Sequence, residues 1–207
     1  MNIFFDLDGT LIDSRPRLYK LFQFLVPASE LSFDAYWNLK RNKKNHHHIL
    51  TTMFGYDENK LQEFESKWMA QIELKEWLAL DTPFNGVGEM LAHLSNKYQL
   101  FIVTARQSES NAIDQIEKFG WMYLFSKVFV TGQKLEKYDL LNNNVAVSTN
   151  DWFVGDTGKD IQTGKLLGIN TLAVLSGFLN QESLIPYKPD VITNQVTDLI
   201  SILHGKF

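Results

Sequence analysis

The sequence predicts an α/β protein with a doubly wound, Rossmann-like parallel sheet and an inserted all-α domain of four helices. Two observations predict the sheet. An apolar run at Asn2–Phe5 stops at acidic residues, and from Pro83 onward apolar runs alternate with helical patterns. A third observation predicts the insertion, because apolar residues between Pro16 and about Leu80 recur only at helical spacing.

The strands of the sheet are predicted from continuous apolar runs, which are typical of strands buried on both faces of a parallel sheet. These runs are Asn2–Phe5, Leu100–Val103, Lys127–Val130, Trp152–Val154 and Thr171–Leu175. Helical patterns separate them, and the segments concerned are Val87–Leu94, Ile113–Phe119, Leu135–Leu141, the stretch ending near Leu167, and Val196–Leu203. The alternation of the two patterns predicts helices on both faces of an open sheet.

The insertion contains four helical patterns and no convincing strand. The first runs through Leu18 and Leu25, and the second begins after Ser32, a residue type that caps helices well. A third pattern stops at Gly55, and a long fourth one follows it. We therefore expect a core domain made of residues 1–15 and 82–207 and a helical cap domain made of residues 16–81.

The composition excludes several classes of function. The 207 residues contain no cysteine, which rules out thiol catalysis and cysteine zinc sites and suits a reducing cytoplasm. A formal net charge of −4 and a pI near 5.7 argue against a nucleic-acid partner. No window approaches the ~20 apolar residues of a membrane-spanning helix. We expect a cytoplasmic protein that acts on a small molecule, and no pattern bears on its oligomeric state.

Polar residues follow four of the predicted strands, at the edge where open α/β sheets bind their ligands. They are Asp6, Asp8, Thr104, Asp156, Asp160 and a lysine, either Lys134 or Lys137. Clustered carboxylates repel each other unless a cation lies among them, and such oxygen ligands suit Mg²⁺. The sequence therefore predicts a magnesium site with a lysine and a threonine beside it. Such a site is suited to hold a phosphoryl group.

The spacing of Asp6 and Asp8 allows both side chains to point into this site while Leu7 faces the core. One carboxylate could act as a nucleophile and form an aspartyl phosphate. Its neighbour, with a pKa raised by nearby negative charge, could protonate the leaving group and then activate water. Gly9 would let the backbone turn tightly around the bound group.

Three segments resemble motifs of the haloacid dehalogenase-like superfamily. Asp6–Ser14 resembles the DxDGT motif with which its phosphatases open, and Val103–Ala105 is similar to the second motif, in which a Thr or Ser binds phosphate. Val154–Asp160 resembles the acidic fourth motif. The motifs fall in the expected order on the expected elements. The helical insertion is similar to the cap domain of the phosphoglycolate phosphatase-like subgroup.

The resemblance implies a phosphatase that hydrolyses a small phosphomonoester through a phosphoaspartate. It implies that Asp6 is the nucleophile and Asp8 the general acid and base, while Thr104 and a lysine bind the phosphoryl group. Mg²⁺ would be held by Asp6, the main-chain carbonyl of Asp8 and Asp156, with Asp160 in support. The residues expected to contact substrate are Gly9, Thr10, Ala105 and Arg106. Arg41 belongs to the basic run Arg41–His48 of the insertion, which is either a solvated surface or a contact for an anionic substrate. A phosphomutase, or a catalytically idle binding module, is the alternative.

Three assignments stay open at this point. Lys137 is preferred over Lys134 because the order Lys137–Leu140 parallels the family's Lys-Pro-Asp-Pro pattern. The second motif of the family usually continues as Thr-Asn, whereas this sequence has Thr104-Ala105-Arg106. Arg106 either contacts substrate or is a solvated arginine at a helix start. The run His46–His48 is compatible with a solvated surface, with substrate contact or with metal binding.

Overall fold

A computed structural model describes residues 1–205, and within them six parallel strands form one open sheet. The strands of the protein are β1 (Asn2–Phe5), β2 (Ile12–Asp13), β3 (Thr82–Pro83), β4 (Gln99–Thr104), β5 (Lys127–Val130), β6 (Trp152–Gly155), β7 (Asn170–Val174) and β8 (Val191–Thr193). The sheet has the order β5-β4-β1-β6-β7-β8, so the first strand lies at its centre. The predicted doubly wound fold is confirmed.

Helices flank the sheet and form the insertion. They are α1 (Arg15–Leu25), α2 (Phe33–Arg41), α3 (His46–Phe54), α4 (Glu58–Gln71), α5 (Lys75–Leu78), α6 (Val87–Ser95), α7 (Glu109–Lys118), α8 (Lys137–Asn142), α9 (Gly158–Leu167), α10 (Gln181–Leu184) and α11 (Leu199–Leu203). In the part of the chain that the structure describes, no helix is both long and apolar enough to cross a membrane.

A row of phenylalanines packs across one face of the sheet. Phe4 on β1 is paired in register with Phe101 on β4 and Phe153 on β6, and its ring centroid lies 5.1 Å and 6.3 Å from theirs. Phe129 on β5 extends the row, with its centroid 6.2 Å from that of Phe101. This stack fixes the register of four strands, and therefore the alignment of the polar residues that follow them.

The helical insertion contains five helices, α1–α5, where four were expected. The fifth, α5, is a single four-residue turn at the end of the long predicted pattern. The predicted cap at Ser32 is confirmed, because its side chain accepts a hydrogen bond from the Ala35 amide. The insertion has a buried cluster of its own, formed by Phe22, Val26, Tyr36, Trp37, Ile49, Leu50, Leu61 and Phe64.

A two-stranded antiparallel ribbon joins the insertion to the sheet. Ile12 pairs with Pro83 and Asp13 pairs with Thr82, so the chain leaves and re-enters the core at one point. These two-residue strands were not predicted, and neither was β8, because segments this short carry no readable alternation. Because β2 follows the loop after β1, the insertion begins and ends next to that loop.

Candidate active site

A cavity of about 640 Å³ lies where the helical insertion faces the carboxyl ends of the sheet. Predicted residues that line it are Asp6, Asp8, Thr104, Arg106, Lys137 and Asp160. Asp6 follows β1 and its amide donates to the Val154 carbonyl of β6, so the central strand pair sets its position. Leu7 is fully buried in the core, as its place between the two aspartates predicted.

Three buried carboxylates form an acidic cluster beside this cavity. Oxygen atoms of Asp6, Asp156 and Asp160 all lie within 4.8 Å of one another. Burial, and then the negative charges of Asp160 and Asp8, raises the pKa of Asp6 to about 7 against the opposing charge of Lys137. Burial and the charges of Asp6 and Asp160 raise the pKa of Asp156 well above its usual range. This concentration of oxygen donors and negative charge fits a divalent cation such as Mg²⁺.

Within the cluster, Asp160 is the carboxylate with the fewest free lone pairs. Its Oδ1 accepts from Lys137 Nζ at 2.6 Å, and its Oδ2 accepts from the amide and hydroxyl of Thr157 at 3.0 Å and 2.5 Å. The contact from the Thr157 amide is part of a capping box at the start of α9. The oxygens of Asp160 are therefore largely occupied by Lys137 and Thr157, while those of Asp6 and Asp156 retain more capacity to bind a cation.

Lys137 lies at the first turn of α8 with its ammonium between two carboxylates. Its Nζ is 2.5 Å from Asp6 Oδ1 and 2.6 Å from Asp160 Oδ1. Although burial disfavours the charged ammonium, the carboxylates of Asp160 and Asp6 raise the pKa of Lys137 above its ordinary value. Lys134 also lines the cavity but is exposed at its mouth. Of the two candidate lysines, Lys137 is the one that the structure brings to Asp6.

Asp8 is held by two arginines. Arg106 donates from Nε to Asp8 Oδ2 at 2.8 Å and from Nη2 to Oδ1 at 2.9 Å, and Arg17 on α1 also donates to Oδ1. Burial alone would raise the pKa of Asp8, but the positive charges of Arg106 and Arg17 lower it well below its usual range. The sequence prediction of a raised pKa was wrong, because the positive neighbours outweigh the negative ones.

Gly9 and Thr10 support the acidic cluster and are not among the residues that line the cavity. Gly9 has a φ of +85°, and a Cβ there would lie 2.5 Å from Asp156 Oδ2. The Thr10 hydroxyl donates to Asp156 Oδ1 over a long 3.4 Å, and the Phe178 amide donates to Oδ2 at 2.5 Å. Only glycine fits at position 9, since Asp156 occupies the space of a side chain.

The remaining predicted contacts divide between the cavity and the surface of the insertion. Thr104 and Ala105 line the cavity at the end of β4. Arg106 is buried, so the solvated alternative for it was wrong. Arg41 does not reach the cavity; its guanidinium donates to the Leu175 carbonyl at 3.1 Å, and its own carbonyl accepts from Ser183 Oγ at 3.3 Å. It ties the end of α2 to Leu175, directly after β7, and to α10.

The histidine run does not reach the cavity either. The His46 ring packs inside the insertion, 2.8 Å from the Tyr36 hydroxyl and with its centroid 4.2 Å from that of Trp68. Burial, together with the charge of Lys40, keeps the pKa of His46 well below its usual value. His47 and His48 are exposed on α3. Sequence reasoning could not separate these positions, because the three residues point in different directions around one helix turn.

Two charged residues at the site were not predicted from the sequence. Arg17 is almost completely buried on α1, and Asp81 is buried directly before β3. The Arg17 Nε donates to Asp81 Oδ1 at 3.0 Å, across 64 positions of sequence. An arginine at an inward-facing position of an amphipathic helix is the one feature that could have drawn attention, because buried arginines are rarely unpaired.

Known proteins resemble this chain along nearly its whole length. A phosphoglycolate phosphatase of Synechococcus elongatus is 25% identical over 204 residues, which cover 96% of this chain and 94% of that protein. A pyrophosphatase of Oceanobacillus iheyensis is 24% identical, covering 99% and 97%. A solved haloacid dehalogenase-like family protein from Streptococcus pneumoniae has a TM-score of 0.75 at 22% identity, covering 98% and 97%, and this likeness concerns the fold.

The family itself follows from the match over most of the chain. Residues 3–174 match the family model for haloacid dehalogenase-like hydrolases. This stretch runs from the central strand β1 to the last residue of β7, and it contains all three motifs found in the sequence. The chain belongs to the haloacid dehalogenase-like hydrolases.

Proposed function

We propose that this protein is a Mg²⁺-dependent phosphatase that hydrolyses a small phosphomonoester through a phosphoaspartate on Asp6. The observation that carries the proposal is the position of Asp6. Its carboxylate faces the cavity, contacts the buried Lys137 ammonium, and belongs to the acidic cluster with Asp156 and Asp160. Two relatives named as phosphatases, one for phosphoglycolate and one for pyrophosphate, support phosphoryl chemistry.

In this proposal Asp6 attacks the phosphorus atom, so that a new P–O bond forms on its carboxylate while the bond to the leaving oxygen breaks. Lys137 and Thr104 bind the phosphoryl oxygens, which spread their negative charge toward the ammonium. Asp8 takes a proton from the water that hydrolyses the phosphoaspartate; to give one to the leaving oxygen in the first step it must first bind a proton, because Arg106 and Arg17 keep its pKa well below the usual range in the free protein. The ion pairs with Arg17 and Arg106 hold the Asp8 carboxylate at the wall of the cavity.

The metal ion would be held by Asp6, Asp156 and the main-chain carbonyl of Asp8, with Asp160 as a supporting carboxylate. When bound there, Mg²⁺ would supply positive charge that offsets the negative charge of the phosphoryl oxygens. Gly9 contributes indirectly, because its missing side chain leaves room for the Asp156 carboxylate. Thr10 and the Phe178 amide fix that carboxylate through hydrogen bonds.

The experiment that tests this function is a phosphate-release screen with purified protein. The panel contains phosphoglycolate, pyrophosphate, sugar phosphates and nucleoside monophosphates, each with Mg²⁺ or with a chelator. We expect Mg²⁺-dependent release of free phosphate from at least one compound, and loss of that release in Asp6→Asn. Conversion of a sugar phosphate to its isomer without free phosphate would instead identify a phosphomutase. No turnover of any compound would favour an idle binding module.

A further inference from the structure

The carboxylate of Asp81 lies at the centre of a buried network of hydrogen-bonded charged groups that also includes Asp8. It accepts hydrogen bonds from Arg17 Nε at 3.0 Å, Arg106 Nη2 at 3.2 Å and Gln115 Nε2 at 3.0 Å. Both arginines also bind Asp8, Arg17 through Nη2 and Arg106 through Nε and the same Nη2. Each guanidinium is therefore held between two carboxylates, Asp81 on one side and Asp8 on the other.

The two carboxylates of this network differ in their access to substrate. The side chain of Asp81 is 0% exposed, and Asp81 is not among the residues that line the cavity. Asp8, Arg17 and Arg106 do line it. Asp81 cannot touch a bound substrate, so any effect that it has on catalysis must pass through the arginines.

The network also connects both ends of the helical insertion to Asp8. Arg17 lies in the first turn of α1, where the insertion begins, and Asp81 lies just before β3, where it ends. Arg17 Nη1 additionally donates to the carbonyl of Ile72 in the insertion at 3.1 Å. Arg106 belongs to the loop between β4 and α7 of the core. The charged residues that hold the Asp8 carboxylate in place thus come both from the core and from the two connections of the insertion.

We propose that Asp81 is a positioning residue, which holds Arg17 and Arg106 so that they orient the Asp8 carboxylate for proton transfer to the leaving group. The inference rests on the proposed function of Asp8. Buried guanidinium donors that lose a partner turn to other acceptors, because leaving them unpaired is costly. Without Asp81 both arginines are free to turn, and a misplacement of about 1 Å can cost on the order of 100-fold in rate.

The test compares two substrates that differ in their need for a proton. The leaving group of p-nitrophenyl phosphate departs readily as an anion, whereas that of an alkyl phosphate departs only with protonation. The ratio of kcat/KM for the two substrates therefore reports on proton transfer by Asp8. General acid catalysis contributes typically ~10²–10⁴-fold. For Asp81→Asn we expect kcat/KM to fall at least about 10²-fold for the alkyl phosphate and less than about 10-fold for p-nitrophenyl phosphate.

Two further variants keep this test decisive. Asp151 is another buried aspartate, but it lies before β6 at the opposite edge of the sheet, where it accepts from the Asn2 amide at 2.7 Å. Asp151→Asn should lower stability without changing the ratio. Gln115→Met removes one donor from Asp81 without changing any charge, and the Gln115 Oε1 atom that it deletes has no hydrogen-bond partner. This milder variant should shift the ratio in the same direction, and it serves if Asp81→Asn does not fold.

Equal losses for both substrates in a folded Asp81 variant would overturn the proposal, because a purely structural role lowers both rates alike. An unchanged ratio in Gln115→Met, if Asp81→Asn fails to fold, would also overturn it. Failure of the proposed function is recognised separately, since the wild-type protein would then hydrolyse neither substrate.

Discussion

The ammonium of Lys137 lies 2.5 Å from the carboxylate oxygen Oδ1 of Asp6, and both groups are buried at the floor of the cavity. Asp6 follows the central strand and Lys137 begins α8, 131 positions later in the chain. In the proposed mechanism this contact holds the nucleophile and a cation next to each other where the phosphoryl group would bind. It also stabilises a cluster of carboxylates that would otherwise repel one another.

Replacing Asp6 by asparagine should abolish turnover and leave the fold intact. The amide is a poor nucleophile and a weaker ligand for Mg²⁺, whereas its size matches that of the carboxylate. We expect kcat to fall by more than about 100-fold, equivalent to ~2.7 kcal/mol of transition-state stabilisation. Steady-state kinetics measure this, with Asp139→Asn on the exposed side of α8 as the matched control. Residual activity above about a hundredth of wild type would refute the nucleophile assignment.

Replacing Lys137 and Lys134 separately by methionine should give unequal results. Lys137→Met removes the cation between Asp6 and Asp160, so kcat/KM should fall by about 10²–10³-fold. Lys134→Met changes an exposed side chain at the mouth of the cavity and should stay within about threefold of wild type. Kinetics on p-nitrophenyl phosphate, with thermal unfolding to verify folding, provide the comparison. A larger loss for Lys134→Met would reverse the choice between the two lysines.

Asp8 and Asp156 should differ in their effect on metal binding. The Asp8 side chain is bound by Arg17 and Arg106 and lies outside the acidic cluster, whereas Asp156 belongs to it. In Asp8→Asn we expect Mg²⁺ affinity within about threefold of wild type, together with loss of turnover. In Asp156→Asn affinity should fall by more than about tenfold. Isothermal titration calorimetry measures both, and an equal loss of Mg²⁺ binding in the two variants would contradict this division of roles.

The stabilisation of the protein by Mg²⁺ should increase with pH. Without metal, Asp6 has a folded-state pKa of about 7, above the ordinary 3.8, so its contribution to stability is complete below pH 4 and is lost as the pH rises through 7. Mg²⁺ binds the ionised carboxylates and must displace protons at low pH. The rise in Tm on adding Mg²⁺ should therefore be larger at pH 8 than at pH 5.5. Differential scanning calorimetry tests this, and a rise that is equal or larger at pH 5.5 would contradict it.

The sheet and half of the site could be predicted because both follow from strong local patterns. Continuous apolar runs marked five strands, and the carboxyl-end rule placed Asp6, Thr104 and Asp156 at one edge. The ribbon between β2 and β3 could not be predicted, since each strand has only two residues. The choice between the lysines depended on which one α8 buries, and that is a matter of tertiary packing.

The electrostatic setting of Asp8 escaped sequence reasoning for a different reason. The neighbouring aspartates are close in the sequence and suggested a raised pKa. The arginines that lower it arrive from α1 and from the loop after β4, and Asp81, which binds both of them, comes from the far end of the insertion. A charge network assembled from three separate segments leaves no signature in any one of them. Arg41 illustrates the converse, because a basic stretch suggested substrate contact where the structure has a tie to the Leu175 carbonyl.

The most direct test of the central claim is to trap the phosphoryl group on Asp6. Wild-type protein turning over p-nitrophenyl phosphate with Mg²⁺ is quenched in acid and reduced with borohydride, which converts an aspartyl phosphate to homoserine. Peptide mass spectrometry then locates the modified residue. The account predicts homoserine at position 6 in the wild-type protein, and none in Asp6→Asn or without substrate. Active turnover with no modification at position 6, or with modification at Asp8 or Asp156 instead, would contradict it.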